Sequence, residues 1–262
     1  MVWIPVISQI TLGAFAFLPF LQHQLSIKKW LKKPLKYPEE APNEDLTILL
    51  PVWNEGKIIE QKLDSLASHN TIKASLLIID SASSDNTVEL INGWIAENKS
   101  RFQSIHLIEM QERLGKTPAV HRALSHLSKQ KFDGLILMTD ADATITENSI
   151  ERMYGWFADS TIGAVGAKAI RKRSISSERQ YRGMFETIRL GESNFDSTPF
   201  LEGSCMMWRS NAFDISELDS TSNADDAQIA TGVRLSGLKS IFDDKASFTD
   251  IAPPTIEGQR RQ

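Results

Sequence analysis

The sequence has 262 residues, 41% of them hydrophobic and 24% charged, with a formal net charge of −4. That is enough chain for one large α/β domain with a buried core, at ordinary globular composition. It excludes a basic nucleic-acid binder, and the single cysteine, Cys205, excludes an internal disulfide.

The first 27 residues carry no Asp, Glu, Lys or Arg. Trp3, Ile4, Val6, Ile7, Ile10, Leu12, Phe15, Phe17, Leu18, Phe20 and Leu21 dominate them. A helix of about 20 residues covers roughly 30 Å, the thickness of a bilayer's hydrocarbon core. Residues 1–27 are therefore expected to form one transmembrane anchor helix, with Pro5 and Pro19 tolerated inside it; a cleaved signal peptide and a helix packed against protein are the competing readings. Lys28, Lys29, Lys32, Lys33 and Lys36 follow at once. A positive flank of this kind puts the rest of the chain on the cytoplasmic face of the cell membrane, with membrane lipid as a partner. Residues 28–45 hold the lysines and Pro34, Pro38 and Pro42, and read as a basic, proline-rich linker. Residues 46–262 read as the folded domain.

Within that domain apolar runs alternate with amphipathic ones. Leu46–Leu50, Leu76–Ile79, Ile105–Ile108 and Leu135–Met138 are short apolar strands. Ile58, Ile59, Leu63, Leu66 and Ala67 recur at helical spacing, as do Val88, Ile91, Trp94 and Ile95. Val120, Ala123, Leu124 and Leu127 mark a third helix, and Ile150, Met153, Tyr154 and Phe157 a fourth. Such alternation predicts a mostly parallel sheet with helices on both faces. Cys205 and its flanks read as a further strand carrying a buried, reduced thiol. None of the five histidines has metal-ligand spacing, and all read as surface or packing residues.

In such sheets ligands bind at the carboxyl ends of the strands. Pro51-Val52-Trp53-Asn54-Glu55 follows the first strand, Asp80 to Asp85 the second, and Asp140-Ala141-Asp142 the fourth. Asp140 and Asp142 face one way in an extended segment, and two adjacent like charges call for a cation or a proton between them. A divalent ion on oxygen ligands, with positions left for a diphosphate, answers that; a turn using Asp to satisfy backbone N–H groups is the plain alternative. Asp80 sits at a strand tip, able to accept from a base or ribose. Asp85 precedes a helix and is expected to cap it. Lys116 offers a cation at a helix start. Asp225 and Asp226 open an amphipathic stretch through Ile229, Val233 and Leu235, where acids also suit the helix dipole.

Six segments taken in order resemble family 2 glycosyltransferases of the GT-A fold. They are Thr47–Glu55 (TILLPVWNE), Leu76–Thr87 (LLIIDSASSDNT), Leu114–Ala119 (LGKTPA), Leu135–Asp142 (LILMTDAD), Leu201–Arg209 (LEGSCMMWR) and Asn223–Gly237 (NADDAQIATGVRLSG). The resemblance implies a GT-A, Rossmann-like α/β domain taking a sugar from a nucleotide-diphosphate donor with Mn²⁺ or Mg²⁺. The acceptor it implies is a lipid, glycan or polysaccharide. Pro51, Glu55, Asp80, Lys116 and Asp140 would line the donor site, and Asp142 with Asp140 would bind the metal. Asp226 would be the catalytic base of an inverting transfer. Glu202, Gly203, Asp225, Gln259 and Arg260 would lie on the acceptor and diphosphate side. The sequence departs from the family pattern in having Asp225 where Glu is common, and in ending at Gln262 before the expected Arg-Trp pair.

Three other readings compete. Leu137–Ile145 also fits the nucleophile motif of a haloacid-dehalogenase-type phosphatase, but that motif opens its fold's first strand, and three strand–helix units precede it here. A nucleotidyltransferase would want a glycine-rich basic loop where Pro51–Glu55 stands. An inactive membrane scaffold would have no need of Asp80, Asp140, Asp142 and Asp226 together.

Overall fold

The computed structural model describes residues 3–69, 72–172 and 176–251. Four parallel strands come first in the sheet: β1 (Leu46–Val52), β2 (Ala74–Asp80), β3 (Ile105–Glu109) and β4 (Leu135–Thr139). Helices α2 (Ile59–Ser68), α3 (Thr87–Asn98) and α4 (Lys116–Lys129) connect them, after an N-terminal α1 (Trp3–Trp30). The other strands are β5 (Thr144–Ile145), β6 (Ile162–Lys172), β7 (Cys205–Arg209) and β8 (Lys239–Ile251). The remaining helices are α5 (Ser149–Gly155), α6 (Ser176–Phe195) and α7 (Asp225–Leu235).

The eight strands run β3-β2-β1-β4-β7-β6-β8-β5. Four pairings are parallel and three, β4–β7, β6–β7 and β5–β8, are antiparallel. The sheet is thus mixed: six strands run one way, and β7, which enters beside β4, and β5 run in reverse. The expected α/β class and the first four strand–helix units stand.

Successive strand residues face opposite sides. Ile48, Leu50, Leu76 and Ile78 therefore pack with Leu63, Leu66, Ile91 and Trp94 on one face. Leu49, Leu77, Ile79, Ile136 and Met138 pack with Val120, Leu124, Trp208 and Ile229 on the other. Every residue of β1 and β4 is buried, which accounts for their unbroken apolar runs.

The N-terminal segment does form one continuous helix, α1, with Pro19 inside it. No helix of the described residues is long and apolar enough to cross a membrane, and the anchor expected over residues 1–27 lies partly outside the described residues. Gln22, His23, Gln24 and Ser26 follow the apolar run, and the last turns of α1 pack on the protein. Ile27 is buried against Gly191 of α6, where an added Cβ would come within 2.9 Å of Ile27 Cγ2. Trp30 stacks on Phe195 with ring centroids 4.4 Å apart. His23 Nε2 lies 3.6 Å from Glu192 Oε1. Leu12, Phe15, Phe17, Leu18 and Leu21, nearer the amino end, remain exposed.

Residues after α1 are strapped to the domain. The Tyr37 hydroxyl donates to the Arg152 carbonyl at 3.1 Å, and its ring meets Trp156 edge-on. The Tyr154 hydroxyl donates to the Glu44 carbonyl at 2.7 Å and accepts from the Glu44 N–H at 3.0 Å. Burying a side chain such as Ile27 contributes roughly 1.5–3 kcal/mol. Gly191→Leu should push α1 off α6 while sparing the sheet. Limited trypsin digestion should then cut after Lys28, Lys29 or Lys32 much faster than in the wild type, leaving the remaining domain intact. Unchanged cleavage would show that this contact does not hold α1.

Candidate functional site

Parallel register brings the ends of β1 and β2 level, with Val52 opposite Asp80. The loops that follow are knitted together by side chains. Asn54 takes a left-handed backbone (φ 54°), which Asn tolerates. Its N–H donates to Ser83 Oγ at 2.8 Å, and its Oδ1 accepts from the Ser84 N–H at 2.8 Å. The Glu55 N–H donates to Thr87 Oγ1 at 2.8 Å. Asp85 accepts from the Thr87 N–H at 3.0 Å, in the first turn of α3, and from the Gly56 N–H at 3.1 Å. Those bonds, led by the one from the Thr87 hydroxyl, hold its carboxyl below the ordinary range. Asp80 is buried and accepts from both the N–H and the hydroxyl of Ser83. It therefore fixes this loop from below.

Beside these loops lies a cavity of about 250 Å³. Pro51, Trp53, Glu55, Lys116, Asp140 and Asp142 line it, with Arg113 and Gly115. The Arg113 guanidinium stands 3.1 Å over the Trp53 ring. The sequence points to this platform only through a tryptophan directly after a strand; in the fold Trp53 is 37% exposed. A larger cavity of about 370 Å³ lies elsewhere, between the end of α4 and residues 208–215. No residue singled out from the sequence lines it, so size does not identify the site here.

Antiparallel register pairs Thr139 with Cys205, so the residue after β4 lies beside the residue before β7. Ser204 Oγ accordingly donates to Asp140 Oδ2 at 2.7 Å. Lys116 Nζ lies 2.6 Å from Asp140 Oδ1. Burial pulls the Lys116 ammonium down, but Asp140, Asp225 and Asp226 together outweigh it and raise its pKa. No described cation pairs with Asp142. Burial, then the charge of Asp140, pushes its carboxyl up. Glu55 is raised by burial and then by Asp142, Asp140 and Asp85.

The described residues hold no group of three or more His, Cys, Asp or Glu arranged for a metal ion. Two carboxylates are what the strand tip offers. That fits an ion of the Mg²⁺ or Mn²⁺ kind, which takes one or two carboxylates and fills its shell with water and phosphate oxygen. Burial raises Asp142 and Glu55 most and repulsion among the carboxylates adds to it; such an ion would relieve that repulsion.

The neighbouring loop links this edge to α7. The Gly203 N–H donates to Asp226 Oδ2 at 3.1 Å, and the Ala227 N–H to Asp226 Oδ1 at 2.7 Å. A Cβ on Gly203 would lie 3.2 Å from Asp226 Oδ2, so a larger residue would crowd the carboxylate. Glu202 Oε1 accepts from Arg189 of α6 at 2.7 Å. Asp225 is buried, and its Oδ2 has no partner. Gln259 and Arg260 lie outside the described residues. Cys205 is buried, and burial pushes its thiol up to about 12.

The glycosyl transferase family 2 model matches residues 47–215, more than half of the chain. The chain belongs to glycosyl transferase family 2. Membership displaces the haloacid-dehalogenase reading of Asp140 and Asp142. Among curated relatives, poly-beta-1,6-N-acetyl-D-glucosamine synthase of Staphylococcus aureus (strain COL) is 26% identical over 226 residues, 84% of this chain and 53% of its own. The Staphylococcus epidermidis synthase is 24% identical over 231 residues, 86% of this chain and 54% of its own. The chain thus spans about half the length of the curated relatives it matches. Among solved structures, the mannosyltransferase PcManGT from Pyrobaculum calidifontis, in complex with GDP-Man and Mn²⁺, is 27% identical with a TM-score of 0.78. That match covers 94% of this chain and 68% of the other. S. aureus TarS with UDP-GlcNAc has a TM-score of 0.60 at 14% identity, over 82% of this chain and 60% of the other, a likeness of fold alone.

One consequence for stability follows from Asp225. Burial, the largest effect, raises its pKa; Lys116 works against that, and Asp226 adds to it. A carboxyl raised in the folded state binds more protons there than in the unfolded chain, so stability falls as pH rises through the window above the ordinary Asp value. The penalty is complete at neutral pH. Asp225→Asn should therefore melt higher than the wild type near pH 7, with the gap closing toward pH 4. A variant less stable at pH 7 would contradict the reading of Asp225 as a strained carboxylate.

Proposed function

We propose that this chain is the catalytic domain of a metal-dependent, inverting transferase. It moves a sugar from a nucleotide-diphosphate donor to a lipid-linked, glycan or polysaccharide acceptor. The relatives named as polysaccharide synthases, and the neighbours named with GDP-Man and UDP-GlcNAc, support the donor and acceptor classes. The observation that carries the reading is the join at Gly203–Ser204. Ser204 holds Asp140, which lines the cavity, and Gly203 holds Asp226, whose charge also acts on Lys116. One dipeptide thus sets the leaving-group side and the base side relative to each other.

Donor binding falls to the cavity. Pro51, Glu55 and Trp53 take the nucleoside end with Asp80 beneath them, and Lys116 faces the diphosphate. Asp142 and Asp140 would hold a Mn²⁺ or Mg²⁺ ion, which stabilises negative charge on the departing diphosphate. Asp226 removes the acceptor hydroxyl proton as that oxygen bonds to the anomeric carbon. The bond from that carbon to the diphosphate breaks, and the electron pair leaves with the nucleotide. Two backbone N–H groups orient Asp226 while lone pairs on its oxygens stay free for the proton. Glu202, Asp225, Gln259 and Arg260 belong to the acceptor and diphosphate side. The apolar, exposed part of α1 suits a membrane anchor, with the lysines that follow at an anionic surface.

Asp226→Asn should keep nucleotide binding near normal and lower kcat by on the order of 100-fold or more, the usual size of a general-base contribution. Proton NMR of the wild-type product should give the opposite anomeric configuration to the donor. Near-normal turnover in the variant would remove Asp226 as the base, and retained configuration would remove the inverting mechanism.

A further inference from the structure

Lys62 lies on the apolar face of α2, three residues after Ile59 and four before Leu66, and is only 4% exposed. Its Nζ donates to Thr139 Oγ1 at 2.8 Å and to the Ala143 carbonyl at 2.5 Å. Neither partner is a carboxylate. Thr139 is the residue before Asp140, and Ala143 the residue after Asp142. The ammonium therefore bridges the two ends of the acidic turn from behind, on the side away from the cavity. Burying an ammonium group without a directly paired anion is costly. Burial accordingly lowers the Lys62 pKa to about 8, while Cys205, Asp140 and Asp142 oppose that. The thiol of Cys205 stays protonated at neutral pH, which leaves the two aspartates as the charges that matter. A leucine or methionine would fill the same space without the cost, so the charge needs a reason. The turn supplies one: two carboxylates with Glu55 close by, and Lys116 reaching only Asp140.

We propose that Lys62 is a built-in counter-charge that stabilises the Asp140–Asp142 turn in the metal-free protein, before metal and diphosphate take over that role. It touches neither ligand and acts through the turn. The inference rests on the reading of that turn as the seat of metal and diphosphate. Its central test nevertheless needs no metal.

The test is a double-mutant cycle on the full chain, read by thermal melting at pH 7 in EDTA, with Lys62→Gln, Asp142→Asn and the double variant. Glutamine keeps a donor for Thr139 and removes the charge. Lys62→Gln should melt about 3 °C or more below the wild type. Asp142→Asn should raise the melting temperature of Lys62→Gln by about 2 °C or more beyond its effect on the wild type, because it removes the charge left uncompensated. If Lys62→Gln alone fails to fold, the double variant should fold. Additive effects, or a double variant that also fails to fold, would overturn the proposal, since a packing role predicts them. Calorimetric titration with MnCl₂ alone supplies the second readout. Removing a positive charge behind the turn should tighten Mn²⁺ binding on the order of threefold or more, and weaker binding in Lys62→Gln would overturn the counter-charge. No Mn²⁺ binding in the wild type, with the coupling in EDTA intact, would instead overturn the metal reading and leave the counter-charge supported.

Discussion

Asp140 is held from two directions, by Lys116 at the start of α4 and by Ser204 at the entry to β7. The rest of the site depends on that junction. Parallel strands bring polar loops to one edge of the sheet, and the loops here carry Glu55, Asp140 and Asp142 into one cavity. Like charges in a half-buried edge repel, and burial sharpens the repulsion. Lys116 answers it from the cavity side and Lys62 from behind, and Asp142 is left as the carboxylate with no cation of its own among the described residues. The edge is therefore charged but not neutralised, which is the condition for drawing in a cation together with a diphosphate.

The same junction reaches Asp226. Glu202, Gly203 and Ser204 are consecutive, and they contact Arg189, Asp226 and Asp140 in turn. Arg189 sits on α6, the helix that receives Ile27 and Trp30 of α1. A chain of packed contacts thus runs from the N-terminal helix to the candidate base. Displacement of α1 would reach the loop that holds Asp226 through one helix and one ion pair.

Much of the first half was legible because its physics is local. β1 and β4 are buried throughout, so their sequences are unbroken apolar runs, and the polar residues after them had to stand at the sheet edge. The second half was less legible. β6 and β8 run past their partners as a long ribbon with a register shift near Ala167, and charged residues such as Lys168, Arg171 and Asp244 interrupt their pattern. The reversal of β7 cannot be read from Cys205–Arg209 alone, since a buried strand reads the same in either direction. Asp80 reads as a ligand contact because strand tips carry such residues; the fold shows in addition that each of its oxygens accepts from Ser83, a role that the sequence alone does not show. Lys62 was visible all along as a lysine on the face that carries Ile59, Leu63 and Leu66. Its meaning needed the partner turn, which lies far away in sequence.

The account stands or falls on whether the strand tips form one seat for a nucleoside diphosphate and a divalent ion. Isothermal titration of the full chain with UDP and with GDP, each in MnCl₂ and in EDTA, tests this most directly. The account predicts that one of the two nucleotides binds in Mn²⁺ and that its affinity falls at least about tenfold in EDTA, where the diphosphate meets Asp140 and Asp142 without a bridging charge. Equal affinity with and without the metal, or no binding of either nucleotide, would contradict it.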